Sequence, residues 1–98
     1  ATDGIVFVAD SQREKKQENI DSFKDMVENL VDFGEDINNV PIILQYNKRD
    51  LFDILTIEEL QADLNPENKY EYLEAIASEG INVVDTLKII TKLVVQKA

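Results

Sequence analysis

Apolar and polar positions follow two different periods along this chain. Ile5, Val6, Phe7 and Val8 form a short unbroken apolar run in residues 4–10, GIVFVAD. A continuous run of this kind marks a strand covered on both faces, as in a parallel sheet. After the polar stretch SQREKKQEN the period changes. Ile20, Phe23, Val27, Leu30 and Val31 recur at helical spacing with charges between them, and Gly34 stands where a left-handed C-cap belongs. These positions predict a long helix over about 14–33. A second strand is predicted at about 41–46, with Pro41 at its start, where a missing N–H is tolerated. Thr56 and Glu59 then form a Thr-x-x-Glu capping box, with Leu55 and Leu60 at staple spacing, and this short helix stops before Pro66. Residues 70–76, YEYLEAI, read as a third strand that mixes its faces less cleanly. A last helix is predicted from about residue 82, with Val83, Leu87, Ile90 and Val94 on one face and Lys88, Lys92 and Lys97 toward its C-terminal half, where cations suit the helix dipole.

The order β-α-β-α-β-α argues for an α/β fold: a parallel sheet in three layers, with right-handed crossovers and helices on both faces. Three strands are few for such a sheet. The first is as apolar as a central strand, yet nothing before it in the chain could pair with it. The expectation is therefore a piece of a larger sheet, or a chain that completes its sheet with another copy of itself.

Composition narrows the chemistry. Of 98 residues, 44% are hydrophobic and 31% charged, which suits one small globular domain. There is neither Cys nor His, so disulfides, zinc sites and Ser/His or Cys/His catalysis are excluded. The formal charge is −10, spread over both halves. Such a surface repels nucleic acid and acidic membranes, whose binding depends on Lys and Arg displacing counterions. GEDINN at 34–39 lacks the alternating oxygen ligands and the turn glycine of a calcium loop. No apolar run approaches the 18 or so residues of a membrane span, and the first strand has no basic flank ahead of it as a secretory signal would; a cytoplasmic protein is expected.

The chemistry concentrates in residues 42–51, IILQYNKRDL, where a buried strand empties into Asn47-Lys48-Arg49-Asp50. Ligands of open parallel sheets sit beyond the carboxyl ends of the strands, and three loops share that edge: ADSQ, NKRD and ASEG. The Asp50 carboxylate is acceptor-only, with two oxygens for two parallel N–H donors. Guanine offers that pair at N1–H and its exocyclic amine; adenine does not. Asn47 can donate to a ring nitrogen while tying its own loop, and the alkyl stem of Lys48 can lie along a base. Asp10 and Ser11 lie on the same edge, where strand-to-helix capping accounts for them.

Asn-Lys-Arg-Asp matches the Asn/Thr-Lys-x-Asp guanine-specificity motif of Ras-like small GTPases. The segments DGIVFVADSQ, PIILQYNKRDL and GINVVDTLKIITKLV follow one another at the spacing of the last three β-α units of a Ras-like G domain. Their wording resembles the bacterial gliding-motility, MglA-type subgroup, over essentially all of residues 1–98. The resemblance implies the C-terminal half of a P-loop GTPase fold. It makes Asn47 and Asp50 base readers and Lys48 the stacking stem. The family's second base contact, a Ser-Ala-Lys-like loop, aligns with Ile76-Ala77-Ser78; Ala77 matches through its backbone N–H, while Ile76 and Ser78 depart from the pattern.

The resemblance further implies GTP or GDP with Mg²⁺ in the whole protein, a switch role in gliding motility or cell polarity, and a roadblock/longin-type partner that stimulates hydrolysis. The phosphate cradle Gly-x-x-x-x-Gly-Lys-Ser/Thr is not in these 98 residues, which hold only Gly4, Gly34 and Gly80 and no Gly-Lys pair. The isolated chain is therefore expected neither to hydrolyse GTP nor to hold it tightly, and its first strand, as an open edge, is expected to pair into a dimer or domain swap. A pseudo-GTPase or adaptor used for protein contacts is the alternative. A receiver-like domain ranks below both, because it needs a cluster of acids where only Asp10 stands.

Overall fold

The computed structural model describes residues 4–76, 80 and 83–97. Three strands, β1 (Ile5–Asp10), β2 (Ile42–Asn47) and β3 (Glu71–Glu74), pair in parallel in the order β1-β2-β3. The register sets Ile5 beside Ile42 and Asp10 beside Asn47, then Ile43 beside Glu71 and Tyr46 beside Glu74. The helices are α1 (Lys16–Asp32), α2 (Ile57–Leu64) and α3 (Val83–Lys97), with 3-10 turns at Arg13–Lys15 and Ile37–Asn39. The α/β architecture expected from the alternating pattern is the one observed.

Alternation along β2 divides the core. Ile42, Leu44 and Tyr46 are buried together with Ala9, Val40, Leu55, Leu60 and Leu64, and Phe23 and Met26 of α1 pack on this cluster. Phe23 anchors α1 there by edge-to-face contacts with Phe7, at 5.1 Å, and Tyr70, at 5.9 Å. Tyr46 is fully buried, and its hydroxyl donates to Gln61 Oε1 on α2, which satisfies the one polar atom it carries inward. Ile43 points to the other face and is also fully buried, and α3 packs along β1 and β2 with Ile90 inward. Gly4 permits that approach: a Cβ there would stand 2.7 Å from Val94 Cγ2. Helices α1 and α2 form one outer layer and α3 the other.

The local signals work as their chemistry dictates. The Glu59 N–H donates to Thr56 Oγ1 at 3.1 Å, capping α2. Gly34 adopts φ 79°, and the Gly34 and Glu35 N–H groups close the end of α1 on the Val31 and Leu30 carbonyls. Most boundaries fall within a residue of expectation, and two elements differ by more. Helix α1 begins at Lys16 after a 3-10 turn, two residues later than the periodicity suggests. Strand β3 covers Glu71–Glu74 rather than 70–76, and at its beginning Asn65 captures the backbone. The Asn65 side chain accepts from the Lys69 and Tyr70 N–H groups and donates to the Tyr70 carbonyl, so Tyr70 is spent on the loop.

Among the described residues β1 has a neighbour on one side only, and Val8 is 52% exposed along it. No helix among them is long and apolar enough to cross a membrane.

Candidate nucleotide-base site

Because the strands are parallel, their carboxyl ends share one edge, and the register brings Asp10, Asn47 and Glu74 to it. Asn47 ends β2 half-buried, and its carbonyl accepts from the Ser11 N–H at 3.1 Å. The chain then turns sharply. Lys48 has φ 61°, a left-handed conformation that residues other than glycine rarely adopt. The turn closes through Leu51 N–H to the Lys48 carbonyl, and Asp50 is left exposed on its outside. Beyond it the chain returns to β1: Gln12 and Ile54 form an antiparallel bridge, and Leu55 N–H donates to the Ser11 carbonyl at 2.7 Å. The loop is thus sewn to its neighbour by backbone bonds, although its outer side chains are exposed.

Side chains complete the arrangement. Lys48 Nζ lies 3.0 Å from Asp10 Oδ2, and Arg49 Nε lies 3.0 Å from Glu74 Oε1. Asp10 is a junction. Its carboxylate accepts from the backbone and side-chain amide of Gln12, while its own N–H and carbonyl are both held by the side chain of Asn19, a buried residue of α1. Burial pushes the Asp10 carboxyl up, but the Gln12 N–H groups and the Lys48 ammonium outweigh it, so the net shift is downward from 3.8. Ser11, next to it, is fully buried, and its hydroxyl has no partner among the described residues.

Three of the residues expected at the site, Asn47, Lys48 and Asp50, therefore come together in one turn at the carboxyl edge of the sheet. Ala77 and Ser78 lie outside the described residues. Lys48 has a task that its motif does not reveal: its ammonium is engaged by Asp10. Asp10 does cap the start of the β1–α1 connection, but it also holds Lys48. A parallel register was the one available signal, since it sets residue 10 beside residue 47.

The chemistry of this edge fits a guanine base: an exposed acceptor-only carboxylate beside an amide and an aliphatic stem. It does not include a phosphate cradle, which needs backbone N–H groups and a lysine in a glycine-rich loop. Among the described residues no group of three or more acids is placed to hold a metal ion.

No family model matches the chain. Over 92 residues, 94% of its length, it is 48% identical to the mutual gliding-motility protein MglA of Myxococcus xanthus (strain DK1622). The likeness to this MglA protein is the one that the segments around Asn47–Asp50 led us to expect. The chain spans about half the length of that curated relative, 47%. Identity this high over nearly the whole chain agrees with the parallel β-α alternation of the fold, and it covers the turn at Asn47–Asp50 as part of one aligned domain rather than as a lone four-residue match.

The Asp10 network makes the fold sensitive to acid. A carboxyl lowered by folding contributes stability that is fully present above its unfolded value, near 3.8, and is lost as pH falls through the lower folded value. Asp10→Asn is expected to lower the urea midpoint at about pH 7, and the gap from the unaltered chain should narrow progressively as the pH falls below 3.8. A gap that stays constant with pH would show that the Asp10 carboxylate is not the stabilising form.

Proposed function

We propose that the chain is the base-reading, C-terminal half of an MglA-type GTPase, a molecular switch in gliding motility or cell polarity. The observation that supports this most is the placement of Asn47-Lys48-x-Asp50 at the carboxyl end of the central parallel strand, β2. In the whole protein Asp50 accepts N1–H and the exocyclic amine of guanine, Asn47 ties the loop and donates to the ring, and the Lys48 stem lies on the base. Ala77 adds its backbone N–H, and Ser78 flanks it. The triphosphate and its Mg²⁺ are held by residues beyond these 98, and a roadblock/longin-type protein stimulates hydrolysis. The protein works in the cytoplasm.

Two behaviours of the isolated chain test this division of labour. A loop that reads the base supplies only part of the affinity, because phosphate contacts and metal carry the rest. Calorimetry on residues 1–98 alone is expected to give GDP binding weaker than about 1 μM; submicromolar binding would overturn the division. The open edge of β1 is expected to pair with a second copy. Light scattering that gives a monomer at high concentration would count against that pairing.

A further inference from the structure

The two central residues of the Asn47–Asp50 turn send their charges in opposite directions. Lys48 reaches Asp10 at the end of β1, and Arg49 reaches Glu74 at the end of β3, each at 3.0 Å. Strand β2 lies between those two strands, so the turn is held from both flanks. The Arg49 side chain is only 16% exposed. Its guanidinium also donates to the Leu55 carbonyl, and its backbone N–H to the Ala75 carbonyl at 3.3 Å. Arg49 thereby fastens the turn to Glu74 at the end of β3, to Ala75 just beyond it and to the segment entering α2.

We propose that Asp10, Arg49 and Glu74 are positioning residues, which hold the guanine-reading turn in its reading geometry before a base arrives. The proposal rests on the guanine reading of Asn47 and Asp50 given above. Two features support it. Lys48 is in a left-handed conformation, which persists only where the surroundings over-determine it, and the two ion pairs bracket that residue. Second, both pairs are partly exposed, with Lys48 at 47% and Glu74 at 54%. Pairs of that kind add little to global stability. What they do supply is geometry. A turn already ordered loses less freedom when a ligand docks, and the two oxygens of Asp50 meet two donors only if the backbone is aimed correctly.

The test uses the full-length protein that carries this chain and compares GDP, IDP and ADP in competition titrations. Inosine lacks the exocyclic amine, so the GDP-to-IDP affinity ratio reads how well Asp50 is aimed. Arg49→Glu and Glu74→Arg are each expected to lower that ratio about tenfold, and the double swap to recover only part of the loss, because it restores the ion pair but not the bond to the Leu55 carbonyl. Asp10→Asn should lower it similarly, and Asp10→Glu should retain most of it. Glu74→Gln, a half-exposed substitution that leaves the core untouched, carries the test if the charge reversals fail to fold. A purely stabilising pair would shift the thermal midpoint and leave the ratio alone. A ratio unchanged in the single variants, or a double swap no better than Arg49→Glu alone, overturns the proposal. An unaltered protein with no preference for GDP over ADP removes the guanine reading itself.

Discussion

Asp50→Asn in the full-length protein is expected to weaken GDP binding by about 10²- to 10⁴-fold, the loss of two hydrogen bonds to a charged acceptor. The carboxylate is exposed at the outside of the turn, acceptor-only, and faces two donors in the proposed complex. An asparagine keeps one acceptor and places a donor where guanine also presents one, so a formerly paired N–H meets another N–H. Xanthine carries a carbonyl oxygen at that carbon, which the new amide can meet. The variant should therefore gain preference for xanthosine diphosphate while it loses GDP. Competition titration with both nucleotides checks this, and unchanged GDP affinity would exclude Asp50 as the base reader.

Leu44→Ala is expected to destabilise the chain by about 2–5 kcal/mol, measured by urea unfolding. Leu44 is fully buried at the middle of the central strand, with Phe7 beside it on β1 and Tyr72 on β3. It faces the layer formed by α1 and α2, in a cluster with seven other buried residues. Whole domains of this size are stable by only about 5–15 kcal/mol, so the loss is a large part of the total. Phe52→Ser makes the comparison, because Phe52 is 97% exposed and its replacement should stay within about 0.5 kcal/mol. Equal effects at the two positions would contradict the described core.

The parts of the fold set by local chemistry were legible in the sequence. The unbroken apolar runs of β1 and β2, the Thr56 cap and the left-handed Gly34 each depend on a few neighbouring residues, and each is found where the pattern put it. Strand β3 was less legible. Its residues are mostly exposed, so its apolar signal is weak, and its start depends on Asn65, which no period reveals. The turn at Asn47, Lys48 and Asp50 could be located because the apolar strand before it fixes its place. The role of Asp10 could not be read that way, since 38 residues separate it from Lys48 and only the sheet register joins them. Arg49 was hidden for another reason: it occupies the free position of the motif, and its partner at Glu74 lies on another strand.

The central claim is that residues 47–50 select a guanine base. It is tested most directly by equilibrium titration of the full-length protein with GDP and ADP under identical conditions. Adenine offers Asp50 neither N1–H nor an amine at the matching carbon, so a docked adenine would cover the carboxylate without pairing it. A site built on such bonds discriminates by about 10⁴-fold or more. GDP binding with ADP weaker by that order is the predicted result; equal affinity for the two nucleotides would contradict it.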